Sequence, residues 1–292
     1  MKLVSLPPLS HELPPPALRV LSRAKPIDTV HGGTRIVWHA WGDPDAEPLV
    51  LLHGGSGSWT HWLRNVEPIA ASGRRVVVPD LPGFGDSVAA EGIADADGMV
   101  EPASAGLREV VGPGAVDVVG FSFGGMLAGL IAAAHPDLVR RIVLAGAPAL
   151  GMRAEDLRLK DWRHLPSREA QDQVHRENMR ILMLHEPANI DDFAVRLHAA
   201  NLARDRMRQR RMARTDILAR TLPTLGCRVD GIWGEFDQLY AGKMGELGEL
   251  LHRMPNFGEL VLVPDAGHWV QFENAESFNE ALARLLAAPP RV

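Results

Sequence analysis

Short apolar runs alternate with helix-like segments along most of the chain, and this alternation constrains the fold more than any other feature. Strands that are apolar throughout are typical of a parallel sheet with helices on both faces, because both faces of each strand are buried. Two further β-rich runs within residues 27–41 flank His31-Gly32-Gly33 and predict a hairpin that opens the folded body. The apolar runs are at residues 49–52, 75–78, 116–119, 142–145, 229–233 and 260–263, and the helix-like segments are at 59–71, 126–134, 242–253 and 275–287.

The run at residues 116–119 leads directly into Gly120-Phe121-Ser122-Phe123-Gly124, and a segment of helical composition follows. This order predicts a strand, a sharp turn and a helix. Such a turn forces the serine backbone into a strained conformation, and a glycine two residues to either side leaves space for the neighbouring chain. We therefore expect Ser122 to be exposed and positioned as a nucleophile.

Composition narrows the kind of partner. The 292 residues are 46% hydrophobic and carry a net charge of -5, so a large core is available and no general attraction to nucleic acid or anionic membranes is expected. A small-molecule substrate is the favoured partner, and a homo-oligomer is left open. Cys227 is the only cysteine, which excludes an internal disulfide and a cysteine-based zinc site and favours a reducing cytoplasm. No secretory signal or run of about 18 apolar residues is present, so we expect a cytoplasmic protein.

The chain divides into three parts by composition. Residues 1–26 form a proline-rich arm, in which the five prolines from Pro7 to Pro16 favour extended backbone over a regular helix. This arm is either a loosely packed leader or a cover for the body or a partner subunit. Residues 27–149 and 223–292 form the α/β core. Residues 150–222, here called the cap segment, are helical, arginine-rich and inserted between two core strands, which predicts a position above the carboxyl ends of the strands, where ligands bind.

A serine hydroxyl needs a base to remove its proton, and a histidine base needs an acid that orients it and stabilises its charge. Asp237 follows the apolar run that ends in Trp233-Gly234, and His268 follows the last apolar run. The order Ser122, Asp237, His268 is that of an α/β-hydrolase triad. Glu235 and Asp265 are the rival candidates for the acid.

A negative charge that develops on the reacting carbonyl oxygen needs backbone N–H donors that no side chain obstructs. The loop His53-Gly54-Gly55-Ser56-Gly57 follows the first apolar run, and its glycines allow the main chain to approach a substrate. We predict an oxyanion hole formed by the amides of Gly55 and Phe123. His53 is interpreted as an anchor of this loop.

Five motifs together resemble the α/β-hydrolase superfamily, and the resemblance spans residues 27–288. They are LLHGG at 51–55, DLPGFGDS at 80–87, GFSFGG at 120–125, WGEFD at 233–237 and AGHWVQFE at 266–273. The resemblance implies an eight-stranded, mostly parallel sheet with a helical cap, and a serine hydrolase that needs no cofactor. The serine at the elbow differs from the aspartate of haloalkane dehalogenases and epoxide hydrolases, which leaves acyl transfer to serine as the expected chemistry.

Among serine members of the superfamily, the chain is most similar to meta-cleavage product hydrolases, which break a carbon-carbon bond in ring-fission products. The resemblance implies that Trp269 packs on substrate and that Arg196 binds its acid group. Two positions depart from that subfamily, because Phe121 stands where asparagine is common and Leu197 where tryptophan is common. Hydrolysis of esters, lactones or amides is therefore an alternative, and a non-catalytic receptor on the same fold is a second one.

The remaining predicted substrate contacts lie close to the motifs. Aromatic residues cluster there although they make up only 5% of the chain, and Gly54, Trp59 and Phe121 join Arg196 and Trp269 as expected pocket residues. Six arginines crowd residues 204–214, with Asp205 as the only acid among them. This run is either a solvated helix face or a positive rim that attracts carboxylate substrates.

Overall fold

A single eight-stranded sheet organises the protein, whose computed structural model describes residues 8–152 and 157–289. The strands are β1 (Lys25–His31), β2 (Thr34–Trp41), β3 (Pro48–Leu52), β4 (Arg75–Pro79), β5 (Val116–Phe121), β6 (Val139–Ala145), β7 (Arg228–Gly234) and β8 (Phe257–Val263). Their order across the sheet is β1-β2-β4-β3-β5-β6-β7-β8. The pairs β1–β2 and β2–β4 are antiparallel and the other five pairs are parallel, so the predicted mostly parallel sheet is confirmed.

The apolar runs are strands that are buried on both faces. Along β3, Leu49 and Leu51 join the apolar cluster on one face of the sheet, whereas Val50 and Leu52 join the cluster on the other. Successive side chains of a strand point to opposite faces, so a strand covered on both sides must be apolar at every position. The alternation in the sequence therefore reports two packed helical layers.

Ten α-helices lie within the described residues, most of them against the two faces of the sheet. None of the described helices combines the length and the apolar character needed to cross a bilayer. The helices are α1 (Pro15–Leu21), α2 (Val66–Ala71), α3 (Ala96–Val111), α4 (Phe123–Ala134), α5 (Arg168–Asn178), α6 (Asp192–Ala203), α7 (Ile217–Thr221), α8 (Met244–His252), α9 (Val270–Glu273) and α10 (Ala275–Ala287).

The helix predicted over residues 59–71 is interrupted in the structure. Trp59–Trp62 forms a single 3-10 turn, and α2 begins only at Val66. Pro68 favours this break, because a proline has no amide hydrogen and is best tolerated in the first turn of a helix, where its N–H would have no partner. The proline therefore restricts where α2 can start.

The N-terminal arm differs from its sequence prediction. A regular helix was not expected between Pro7 and Pro16, but α1 begins at Pro15, because a first turn tolerates proline. Leu9 and Ala17 are buried, and the Leu9 amide donates a 2.8 Å hydrogen bond to Asp86 Oδ1. The described part of the arm thus covers the body; Pro7 lies outside the described residues.

Between β6 and β7 the described chain is helical, and charged groups bind it to the core. The Arg204 guanidinium is buried and donates to Asp86 Oδ1 at 2.9 Å and to Glu12 Oε1 at 3.2 Å. On another side, the carboxylate of Asp95 accepts hydrogen bonds from the backbone amides of Arg211 and Met212. Part of the arginine-rich run therefore attaches the cap segment to the core, which neither sequence interpretation of the run anticipated. Residues 153–156 of the segment lie outside the described residues.

Candidate active site

The turn between β5 and α4 has the strained geometry that its sequence predicts. Ser122 has φ 48° and ψ -120°, a conformation that residues with a side chain rarely adopt. The flanking glycines are required for close packing, since a Cβ at Gly124 would lie 2.4 Å from the carbonyl oxygen of Leu52 and one at Gly120 would lie 2.5 Å from that of Gly124. The turn therefore presents the serine at the carboxyl end of β5.

Three side chains from separate loops meet at this serine. His268 Nε2 lies 3.0 Å from Ser122 Oγ, and His268 Nδ1 lies 2.9 Å from Asp237 Oδ2. When Nδ1 donates its proton to the carboxylate, Nε2 is left as the acceptor for the serine hydroxyl. The arrangement can move a proton from Ser122 to His268 while Asp237 balances the resulting charge.

The structure distinguishes the three candidate acids. Asp237 is fully buried, and its second oxygen accepts a 2.9 Å hydrogen bond from the Leu239 amide, which orients the carboxylate toward His268. Glu235 and Asp265 are exposed. Sequence reasoning did not identify Gly146, although a Cβ there would lie 3.1 Å from both Asp237 Oδ2 and His268 Nδ1. The only signal was a glycine at the end of a strand.

The loop that carries Gly55 is held by His53. His53 Nε2 accepts a hydrogen bond from the Leu81 amide at 2.8 Å, so Nδ1 carries the proton and donates it to the Gly54 carbonyl at 2.7 Å. Burial lowers the pKa of His53 to about 4, which keeps the ring neutral near pH 7. The Gly54 carbonyl and the Gly55 N–H belong to one planar peptide unit, so this hydrogen bond also orients the Gly55 N–H.

The amides of Gly55 and Phe123 are available for a ligand. Neither of them donates a hydrogen bond to another described residue, and Phe123 is the first residue of α4, where helix N–H groups have no partner within the helix. A Cβ at Gly54 would lie 3.1 Å from the Ser122 Cβ, so the two loops are in direct contact. Both predicted oxyanion donors therefore lie next to the serine.

His61 is a second histidine that holds this loop, and the sequence analysis did not identify it. Its Nδ1 accepts a hydrogen bond from the Gly54 amide at 3.2 Å, and its backbone carbonyl accepts one from Trp269 Nε1 at 3.0 Å. Burial lowers the pKa of His61 well below its ordinary value. Gly54 is therefore fixed on both sides by neutral imidazoles.

The aromatic residues predicted to contact substrate are buried behind the site. Trp59, Phe121 and Trp269 each expose 1% or less of their surface. Trp59 packs on Trp41 with ring centroids 5.5 Å apart, and Trp269 stacks on Phe272 at 4.0 Å. None of the three is among the residues that line the cavities beside the cap segment, so the predicted contacts are corrected to supporting positions behind the site.

Arg196 is also displaced from its predicted place. It is on the exposed face of α6, whereas His198 on the same helix is 9% exposed and lines a cavity. Two residues along a helix correspond to a rotation of about 200°, so the two side chains face opposite ways. Among the predicted contacts, Gly54 keeps its place beside Ser122, whereas Arg196 does not reach the site.

An arginine that the sequence analysis placed only in a charged run approaches the site instead. Arg210 Nη2 lies 3.3 Å from where a Gly55 Cβ would be. Its guanidinium donates to both carboxylate oxygens of Asp205, at 2.9 and 3.1 Å, and lies 4.8 Å from the centroid of the Phe84 ring. This carboxylate balances its charge beside the loop.

Two cavities are lined in part by the cap segment, and Ser122, Asp237 and His268 are not among their lining residues. One, here called the His61 cavity, has a volume of about 330 Å³ and is lined by residues that include Gly55, His61 and His198. The other, the Pro148 cavity, has a volume of about 670 Å³ and is lined by the loops that follow β6 and β7. Leu159 and Leu182 line both cavities, so residues of the cap segment separate them.

A buried carboxylate connects the loop of His268 with the cap segment. Glu273 Oε2 accepts hydrogen bonds from the backbone amides of Gly267 at 2.7 Å and His185 at 2.9 Å, and Oε1 accepts one from Glu186 at 2.7 Å. The Trp269 amide adds a 2.8 Å hydrogen bond to the Met183 carbonyl. The motif at residues 266–273 thus holds the loop of His268 in place and also binds the cap segment.

Replacing Glu273 with alanine is expected to lower the free energy of unfolding by at least about 3 kcal/mol, because three backbone amides lose a charged acceptor in a buried setting. Urea denaturation followed by tryptophan fluorescence measures this change. The exposed Glu280 on α10 is the matched control, and its replacement by alanine should change stability by less than about 0.5 kcal/mol. Equal losses in the two variants would contradict the role assigned to Glu273.

Known proteins share this sequence pattern. A 2-hydroxy-6-oxo-6-phenylhexa-2,4-dienoate hydrolase from Burkholderia cepacia is 28% identical over 268 residues, covering 82% of this chain and 88% of the relative. A 2-hydroxy-6-oxononadienedioate/2-hydroxy-6-oxononatrienedioate hydrolase from a Pseudomonas species is 27% identical over 258 residues, with the same coverage. These relatives confirm the resemblance predicted from the sequence.

Solved structures share the fold. A meta-cleavage product hydrolase from Pseudomonas fluorescens superposes with a TM-score of 0.70 at 22% identity, covering 89% of this chain and 97% of that one. A thermophilic esterase from Thermogutta terrifontis superposes with a TM-score of 0.66 at 21% identity, covering 90% and 98%. The sequence model of the alpha/beta hydrolase family matches residues 49–281, which is most of the chain. The chain belongs to the α/β-hydrolase family.

Proposed function

We propose that the protein is a serine hydrolase in which Ser122 is the nucleophile, His268 the base and Asp237 the acid. The observation that carries this proposal is the continuous chain of hydrogen bonds from Ser122 Oγ through His268 to Asp237, with both contacts of the imidazole at 3.0 Å or less. Buried Asp237 sets the tautomer of His268 and stabilises its charged form.

In the proposed cycle His268 takes the proton of Ser122, or of a water in its place, as the oxygen attacks the substrate carbonyl. The amides of Gly55 and Phe123 stabilise the oxygen that becomes negative. His268 then returns the proton to the leaving group, and in the second half of the cycle water releases the acyl group by the same route. A carbon leaving group requires that its electrons be delocalised into a neighbouring carbonyl before it is protonated.

For the substrate, we propose a vinylogous diketo acid formed by aromatic ring fission, cleaved at a carbon-carbon bond. The relatives described above are named for hydrolysis of such 2-hydroxy-6-oxo acids. The His61 and Pro148 cavities share Leu159 and Leu182 as wall residues, and we propose that they serve as two compartments for an extended molecule. We propose that the cap segment, residues 150–222, selects the substrate, because it supplies part of the wall of both.

Hydrolysis of carboxylic esters is the second candidate. Phe121, rather than an amide side chain, precedes the nucleophile, and Arg196 is turned away from the cavities. The arginine that the resemblance assigns to the acid group is therefore absent from the cavities, and the position before the nucleophile is apolar. A simple ester makes fewer polar demands on its site.

A comparison of kcat/KM for a dienol ring-fission acid and for an aryl acetate distinguishes these functions. We expect the acid to be preferred by at least about 100-fold, because only the acid uses both compartments. The acid has a visible chromophore, so its loss is followed directly. A preference for the aryl ester would assign an esterase, and binding without turnover of either compound would assign a receptor.

A further inference from the structure

The His61 cavity is lined by two histidines, and three of their four ring nitrogens have no hydrogen-bond partner among the described residues. Because His61 Nδ1 accepts the Gly54 N–H, its proton is on Nε2, and Nε2 has no partner among the described residues. Neither ring nitrogen of His198 has one. These three nitrogens are therefore available to hydrogen-bond a molecule in the cavity.

These nitrogens differ from histidine nitrogens that are unpaired and also buried out of reach of solvent. Both ring nitrogens of His39 and Nδ1 of His175 are sealed inside the protein, whereas none of the nitrogens of His61 or His198 is among the sealed atoms. His61 and His198 line the same cavity although they are 137 positions apart, one in the 3-10 turn that follows the Gly54 loop and one on α6 of the cap segment. A molecule in the cavity would meet donors from the core and from the cap segment.

The charged side chains that line the cavity comprise two cations and one carboxylate, a balance that favours an anion. Lys160 and Arg163 line it together with Asp161. Lys160 pairs with Glu177, and the Arg163 guanidinium lies over the Trp162 ring, 4.6 Å from its centroid. The cavity is thus bordered by cations that already have partners, whereas three imidazole nitrogens of its lining residues have none among the described residues.

We propose that His61 and His198 bind the carboxylate of the substrate as uncharged N–H donors, in the place where a cap arginine was expected. This inference rests on the proposed function. N–H donors bound to a carboxylate form short, charge-assisted hydrogen bonds. Burial lowers the pKa of His198 to about 3, so the ring is neutral at pH 7 and donates from one nitrogen. His61 lies beside Gly54, so a carboxylate held there belongs to the same molecule as the carbonyl at Ser122.

The test measures binding without turnover. In a Ser122→Ala background, the dienol ring-fission acid and its methyl ester are titrated, and each Kd is read from the visible absorbance. His198→Leu is expected to weaken binding of the acid relative to its methyl ester by about 10-fold, because one donor to a charged group is lost. His198→Gln retains an N–H donor and should recover most of that loss. Melting temperatures establish that each variant is folded.

Arg196→Met is the matched control, since it removes the residue that the family resemblance assigns to the acid group. We expect it to leave the ratio of the two Kd values unchanged. Acid binding that weakens relative to the methyl ester in Arg196→Met but not in His198→Leu would overturn the proposal. Equal weakening of acid and methyl ester in His198→Leu would also overturn it. Failure of the wild type to hydrolyse the acid would refute the proposed function alone, because the titrations require no turnover.

Discussion

Replacing Ser122 with alanine is expected to lower kcat by at least about 10⁴-fold with either the aryl ester or the ring-fission acid. The variant lacks the only oxygen of the described residues that His268 Nε2 contacts, so no acyl intermediate can form. The gene product is assayed under saturating substrate, and intact-protein mass spectrometry reports whether an acyl group accumulates. The backbone at φ 48° is equally unfavourable for serine and alanine, so stability should change little.

Ser104 provides the control for this substitution. It is buried on α3, and its hydroxyl has no hydrogen-bond partner in the part of the chain that the structure describes. Ser104→Ala should therefore keep kcat within about two-fold of the wild type, since no interaction is removed. Near-full activity in Ser122→Ala would refute the serine mechanism.

Replacing Asp237 with asparagine is expected to lower kcat by about 10³ to 10⁴-fold. The amide has nearly the same shape, and its oxygen can still accept the Leu239 N–H, so the loop should keep its conformation. It carries no negative charge, however, and its NH₂ group facing Nδ1 would favour the wrong tautomer of His268. Steady-state kinetics with the aryl ester, beside a melting curve, measure the loss at constant fold.

The matched control is Glu235→Gln, which neutralises an exposed carboxylate two residues away in the same loop. Its kcat should remain within about two-fold of the wild type, because an exposed charge is screened by solvent. If Glu235→Gln lost as much activity as Asp237→Asn, the assignment of the acid would be wrong.

Much of the fold could be read from the sequence because its signals are local. The apolar runs at residues 49–52 and 116–119 lie within β3 and β5, and the paired glycines at 32 and 33 form the turn between β1 and β2. Local signals failed where context changed the meaning of a residue. A proline inside a helix usually interrupts it, but Pro15 is the first residue of α1. Pro68 lies in the first turn of α2, which begins only at Val66.

The candidate site was predictable to the same extent. Ser122, Asp237 and His268 lie one, three and five residues beyond the ends of β5, β7 and β8. The carboxyl ends of neighbouring parallel strands meet at one edge of a sheet, so the convergence of the three residues follows from strand order. Trp59 was predicted from its proximity to the motifs, whereas Trp269 and Arg196 were predicted from the family resemblance. Whether such a side chain faces a cavity depends on the rotation of its element and on what packs over it.

By itself, the sequence determined the sheet, the strained turn at Ser122 and the order of the three site residues, because these depend on short-range patterns of apolar residues, glycines and strand ends. Only the tertiary structure decided that Trp59 and Trp269 are buried, that Arg196 is exposed and that His61 and His198 share a cavity. The last two come from distant parts of the chain, and their meeting depends on how the cap segment packs on the core. That packing is set by many long-range contacts at once, including those of Glu273 and Arg204, and no local pattern encodes it.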